Sequence, residues 1–271
     1  MSAYIYGERM QQRMIWFVLG LIGILGGLAW LQRPDGNLHV IVLPTVGDAI
    51  LIQSPAGSFT LIDGGRDPIG LAVELGRHLP FWQRQLATVV LTKADDQRIP
   101  GQLGALRRYQ PALALTPTIV RGEWYDLLRE DATPIRQLQV GQRINLGGAQ
   151  LHVLAVSDGT EGGSVLLIEH RTVSILIHTG GSAGDNALNQ LAGRRIDLLI
   201  YPWQRTIDNP ALQRLQIRAI AFSTGFQADE PALHSMYERK QLAPQVYHPK
   251  LNGAIHLVSN GRSITITTQS P

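Results

Sequence analysis

Cysteine is absent from all 271 residues. That excludes disulfides, thiolate metal ligands, thiol nucleophiles and lipid attachment through sulfur, and leaves the compartment open. Charge is sparse: 17% of the residues are Asp, Glu, Lys or Arg, and 24 basic against 21 acidic side chains leave a net +3. So mild a balance does not by itself argue for nucleic-acid binding, and the pI near 9.4 reflects how few groups titrate there. No internal repeat and no low-complexity tract breaks up the chain, which sets aside solenoids and arrays.

One long stretch lacks charge altogether. Met14 to Gln32 is apolar or neutral throughout, with Trp16 and Trp30 near its ends. About 20 apolar residues cross a bilayer core as a helix, and interfacial tryptophans flank such spans. Arg9 and Arg13 precede the run, which places the N-terminus inside. The expected organisation is a cytoplasmic tail over 1–13, a single-pass transmembrane anchor over 14–32, a turn-rich linker over 33–37 and a globular domain over 38–271, held at the cell membrane outside the cytoplasm. A cleaved signal peptide is the alternative. Against it, Gly27-Leu28-Ala29 is a poor cleavage site and the run is long for a signal core.

The globular part reads as strands in hairpins interleaved with helices. Strands are expected at 38–43, 48–53 and 59–63, then a helix over 68–79 with Leu71, Leu75 and Leu79 on one stripe. A strand at 87–91, a helix from Ile99 to Tyr109, a short strand at 112–115 and a helix over 122–130 follow. Strands then dominate at 143–146, 150–156, 164–170 and 173–178. Helices near 184–192 and 230–240 alternate with strands at 197–201 and 219–222. The chain closes on a hairpin, 253–258 and 263–268, turned by Asn260-Gly261. Hairpins argue against a doubly wound parallel sheet; two sheets with helices outside satisfy the order.

Four segments carry a family resemblance. They are Leu38-His39-Val40 through Gly47-Asp48-Ala49-Ile50-Leu51-Ile52-Gln53; Leu61-Ile62-Asp63-Gly64-Gly65; Leu91-Thr92-Lys93-Ala94-Asp95-Asp96-Gln97-Arg98-Ile99-Pro100-Gly101; and Val246-Tyr247 with Asn252-Gly253-Ala254-Ile255 and Ser259-Asn260-Gly261. Their order resembles the metallo-β-lactamase-like C-terminal domain of the competence DNA-uptake protein ComEC. The resemblance implies an α/β fold, an αββα sandwich of two mixed β-sheets flanked by helices. It also implies a part in DNA uptake or in handling envelope ligands. Asp48, Asp63, Gly64 and Gly65 are then structural positions.

The metal positions that the resemblance implies are mostly substituted. A binuclear site needs His nitrogens and carboxylates converging on two ions. Lys93 stands for the first His, Asp95 is retained, Gln97 stands for an Asp, and Arg98 for the last His of that loop. Gly181, in His178-Thr179-Gly180-Gly181, replaces a bridging Asp, and Trp203 replaces a later His. Lys and Arg stay protonated near neutral pH and repel a metal ion. The expected chain is therefore a pseudoenzyme with no catalytic residues, no metal and no cofactor.

Four readings of the substituted site follow. Lys93 and Arg98 can replace the charge of the missing ions as an ion-pair cluster. Lys93, Arg98 and Arg205 can form an anion-binding pocket for DNA or another phosphate-bearing ligand, since guanidinium matches phosphate geometry. Alternatively the chain is a zinc- or manganese-dependent nuclease or phosphodiesterase using relocated ligands, His178, Asp185 and Asp95. An inert structural partner in a membrane protein complex is the remaining option. His39, His152, His170 and His256 lie in strand-like runs and read as sheet-face residues, and Gly162-Gly163-Ser164 as the start of a strand rather than a phosphate loop.

Overall fold

The computed structural model describes residues 16–20, 23, 34–159, 161–223, 231 and 233–269. The chain divides into two units, Met1–Asp35 and Gly36–Pro271. Most of the Met14–Gln32 run lies outside the described residues; its described positions, 16–20 and 23, are helical. Among the described residues no helix is long and apolar enough to cross a membrane.

Among the described residues of the second unit, two large sheets face each other. In chain order their strands are β1 (Leu38–Val42), β2 (Ala49–Gln53), β3 (Phe59–Asp63), β4 (Thr88–Val90), β5 (Ala114–Thr116), β6 (Ile135–Gln137), β7 (Arg143–Asn145), β8 (Gln150–Ser157), β9 (Gly163–His170), β10 (Val173–His178), β11 (Leu198–Pro202), β12 (Ala219–Ser223), β13 (Gln245–Tyr247), β14 (Ile255–Ser259) and β15 (Ile264–Thr268). The first sheet runs β15-β14-β1-β2-β3-β4-β5-β6 and the second β13-β12-β11-β10-β9-β8-β7. Each is antiparallel through its hairpins and parallel where a helix intervenes, as between β3 and β4 or β11 and β12.

The layers follow from alternation. Val40, Ile50, Ile52 and Ile62 of the first sheet meet Leu166, Ile168, Ile175 and Ile177 of the second in one apolar layer. The opposite face of the first sheet, with Leu51, Leu61 and Val89, is covered by α1 (Pro68–His78) and α2 (Ile99–Leu106), whose Leu71, Leu75 and Ala105 point inward. The second sheet buries Leu167, Leu176 and Leu199 under its own outer layer of short helices. This is the expected helix–sheet–sheet–helix order, since each sheet needs apolar cover on both faces.

Differences concentrate at sheet edges and short helices. The edge strands β6 and β13 carry no alternating pattern. The helix expected near 184–192 is a single turn, Asp185–Leu188, between two 3-10 segments. The helix expected from Ile99 to Tyr109 ends at Leu106.

Candidate functional site

The loops at the carboxyl ends of β3 and β4 are locked together by close backbone contact. β3 ends at Asp63, whose φ of 56° lies in the left-handed region that Asp tolerates better than most residues. Gly64 and Gly65 follow, and Gly65 accepts a hydrogen bond from the Gly101 amide at 2.9 Å. A Cβ on Gly101 would stand 1.7 Å from the Gly64 carbonyl oxygen, so only glycine permits this approach. The start of α2 is thereby pressed against the end of β3, and Arg98, the residue before α2, is carried in beside Asp63.

Asp63 is fully buried. It accepts bonds from the Thr92 amide at 2.7 Å and the Thr92 hydroxyl at 2.5 Å. Arg98 Nε lies 3.3 Å from its second oxygen. Burial pushes the Asp63 carboxyl up to about 7; Arg98 opposes the rise and Asp48 adds to it.

Arg98 sits at the centre of a carboxylate cage. Its Nη2 donates to Asp48 at 2.5 Å and to the Thr179 carbonyl at 2.5 Å, and its Nη1 donates to Asp95 at 2.6 Å. Burial works against the charged guanidinium, but Asp48, Asp63 and Asp95 more than offset it and hold Arg98 above its ordinary range. Lys93 Nζ stands 3.8 Å from Asp95 at the rim.

A second guanidinium lies across the cleft, beyond β10. Arg205 Nη2 donates to both carboxylate oxygens of Asp185, at 2.7 and 2.9 Å. It also stands 3.1 Å from Nε2 of His178, which itself lies 3.0 Å from Asp185. Burial and Arg205 hold His178 below its usual value, with Asp185 opposing. Burial would raise Asp185, but His178 and Arg205 prevail and hold it down. Arg205 Nη1 also reaches the Gly180 carbonyl at 3.4 Å. Two successive carbonyls, Thr179 and Gly180, thus receive the two arginines.

The cleft between these clusters holds about 270 Å³ and is lined by Asp48, Lys93, Asp95, Gln97, Arg98, Glu161, Gly181 and Arg205 among others. Three carboxylates and three cations face it, so their formal charges cancel.

The structure brings Asp48, Lys93, Asp95, Gln97, Arg98, Gly181 and Arg205 to one cleft and puts Asp63 directly behind Arg98. Trp203 is elsewhere: it is buried edge-to-face against Phe222 and His248, with the Arg239 guanidinium 4.1 Å over its ring. Of the three cations read as anion contacts, Arg98 and Arg205 are committed to carboxylates inside the protein. Of the relocated ligands His178, Asp185 and Asp95, the first two meet each other around Arg205, while Asp95 belongs to Arg98. His39 pairs with His256, His152 with Glu169 and His170 with Ser259, as sheet-face residues do.

Two residues escaped the sequence. Glu161 fills the position beside Gly181: a Cβ there would lie 2.4 Å from the Glu161 carboxylate and 2.6 Å from its Cα. Gln102, fully buried, ties α2 to β4 through the Val90 carbonyl at 2.8 Å and accepts from the Trp124 indole at 2.8 Å. Neither has a motif; a buried polar residue on a helix face was the sole sign of Gln102.

No family model matches the chain, and no curated protein matches it. Solved structures do. The metallo-β-lactamase-fold protein YhfI from Bacillus subtilis superimposes with a TM-score of 0.58 at 12% identity, covering 78% of this chain and 96% of its own. A diphosphatase of the PhnP family gives 0.55 at 12% identity, covering 82% and 98%. Tm1679, a metal-dependent hydrolase of the β-lactamase superfamily, gives 0.53 at 12%, covering 78% and 95%. The fold is that of the metallo-β-lactamases. Identity this low establishes the architecture alone.

A metal centre of the metallo-β-lactamase kind does not fit the residues present. Among the described residues, no three His, Asp or Glu side chains are arranged to hold a metal ion. The carboxylates that lie close together are joined by guanidinium nitrogens at hydrogen-bond distance, and Glu161 occupies the space a bridging carboxylate on residue 181 would need.

Proposed function

We propose that this chain is a non-hydrolytic member of the metallo-β-lactamase fold in which two arginine-centred ion-pair clusters stand in for a metal pair. The observation that carries the reading is Arg98, buried among Asp48, Asp63 and Asp95. A guanidinium supplies fixed positive charge and so balances carboxylates that would be costly to bury unpaired. It has no open coordination position, so it cannot generate a hydroxide nucleophile as a bound metal does.

The domain acts as a binding or accessory module. Its motif order, from Gly47-Asp48 to Ser259-Asn260-Gly261, supports a kinship with the ComEC C-terminal domain and a role beside DNA or envelope ligands. A phosphate-bearing ligand would be met through Lys93, whose ammonium stands at the cleft rim 3.8 Å from Asp95. The uncharged Met14–Gln32 run supports a single-pass tether that holds the domain at the extracytoplasmic face of the cell membrane, where a membrane-complex protein is a further candidate partner.

The test is turnover. The purified full chain, assayed on phosphodiester and single-stranded DNA substrates with zinc or manganese added, is expected to show no hydrolysis above buffer. Metal-dependent turnover abolished by Asp95→Ala would establish the hydrolase instead.

A further inference from the structure

The chain enters the domain at the end opposite the cleft, and an exposed aromatic pair stands at that same end. Leu38, the first residue of β1, pairs with Ser259 on one side, and His39 pairs with Gln53 on the other. Gln53 pairs with Phe59, and the Phe59 carbonyl accepts from Ala87, just before β4. The start of β1 and the start of β4 are therefore level. With strands about 4.8 Å apart, three steps separate them by about 14 Å. Asp63 and Thr92, which begin the cleft, lie at the far ends of β3 and β4.

Phe81 and Trp82 lead into β4 at this lower end. They are 63% and 41% exposed and pack edge-to-face on each other, with ring centroids 4.7 Å apart. They do not hang on loose chain. Gln83 donates to the Pro80 carbonyl at 2.8 Å, and Arg84 Nη1 donates to the carbonyls of Phe81 and Gln83, each at 2.8 Å. A hydrogen-bonded turn thus presents two adjacent aromatic rings to solvent as one small apolar patch.

Charge at this end suits an anionic surface. Arg84 is joined by exposed Arg108, by Arg262 in the β14–β15 turn and by Arg171 in the β9–β10 turn that hydrogen-bonds it through Thr172 and Gly261. Glu130 and Asp131 stand at one corner, by Gln110. Tryptophan and phenylalanine beside arginine is the chemistry of a membrane interface.

We propose that this end of the domain rests on the lipid headgroups, with Phe81 and Trp82 inserted at the interface and the cleft turned away from the bilayer. This rests on the tether reading above. Five linker residues, 33–37, reach about 17 Å when extended. So short a linker keeps the end where the chain enters nearest the bilayer.

The absence of cysteine makes the test clean. A single cysteine is introduced by Gln83→Cys in the full chain and labelled with bimane, with Ile119→Cys as the control at an exposed site elsewhere (Ile119 is 80% exposed). Both proteins are reconstituted in phosphatidylcholine–phosphatidylglycerol vesicles carrying shallow doxyl lipid. The label at 83 is expected to blue-shift and lose most of its emission to the doxyl quencher. The label at 119 should stay accessible to iodide, and adding Phe81→Ser and Trp82→Ser should restore emission at 83. Chain that floats with the vesicles while label 83 remains unquenched overturns the docking proposal and leaves the tether standing. Chain that does not float overturns both. A blue shift that depends on protein concentration without lipid assigns the aromatic pair to contact between copies and also overturns the proposal.

Discussion

Arg98 Nη2 lies 2.5 Å from the Asp48 carboxylate, across fifty residues of chain. That bond joins the loop before β2 to the loop before α2. The same guanidinium reaches Asp63, Asp95 and the Thr179 carbonyl, so one side chain ties together both sheets' contributions to the cleft.

Removing Arg98 should therefore be severe. Arg98→Met keeps the stem and deletes the charge, leaving three buried or half-buried carboxylates facing one another. A broken buried pair costs about 3–5 kcal/mol. Urea unfolding should show a loss of that size, and Arg98→Lys should recover only part of it, because one ammonium cannot match the fork that spans Asp48 and Asp95. A loss below about 1 kcal/mol would mean the cluster is energetically a surface pair.

Gly181 gives a second expectation. A side chain there collides with Glu161 backbone and carboxylate alike. Gly181→Ala should lower stability by about 1–3 kcal/mol, the usual cost of overpacking, and Gly181→Asp should cost at least as much. The double variant Glu161→Gly/Gly181→Ala should recover only the part due to the carboxylate, because the collisions with the Cα and carbonyl oxygen of residue 161 remain. Thermal melts of the three proteins check this.

Acid should loosen the domain through His248. Burial, with Lys250 and Arg239 nearby, lowers its pKa to about 4. A group depressed in the folded state contributes stability that is present above its unfolded value, near 6.5, and lost as pH falls through the folded one. The stability difference between wild type and His248→Gln should therefore shrink steadily from pH 7 to pH 4. His78, His170 and His178 are also held low and add to the same acid loss, while Asp63, raised to about 7, acts in the opposite sense. Its contribution is fully present below pH 4 and fades as pH rises toward 7. A flat His248 difference would contradict the burial of that ring as a neutral group.

DNA contact, if carried by Lys93 alone, has a measurable signature. Each phosphate contact contributes about 0.9 to the slope of log affinity against log salt. Lys93→Ala should reduce that slope by about one unit while leaving the melting temperature unchanged. A slope untouched by Lys93→Ala would move any DNA contact away from the cleft.

The strands were legible because their apolar runs are nearly continuous: Leu38-His39-Val40-Ile41-Val42 and Ala49-Ile50-Leu51-Ile52-Gln53 supply apolar residues to both faces of a sheet that is covered on both sides. The edge strands β6 and β13 were not, since a short edge strand needs little burial and shows little pattern. At the site, residues 93, 97, 98 and 181 could be singled out one by one from the resemblance, and the structure brings them to one cleft. That Arg98 would cage three carboxylates could be framed from charge balance alone. His178 and Asp185 could be grouped from the sequence as relocated ligands, but the guanidinium between them could not, because Arg205 follows β11 and reaches them only once β10 and β11 lie side by side. Trp203 misled for the opposite reason: its place in the chain matches a ligand position, but its ring turns into the core beneath Arg239.

Two guanidinium groups are proposed to hold the place of two metal ions. Metal stoichiometry of the full chain, by elemental mass spectrometry after equilibration with zinc and with manganese and removal of unbound ion, tests it most directly. Well below one ion per chain is expected, unchanged in Asp95→Ala. One or two tightly held ions per chain, lost in Asp95→Ala, would contradict it.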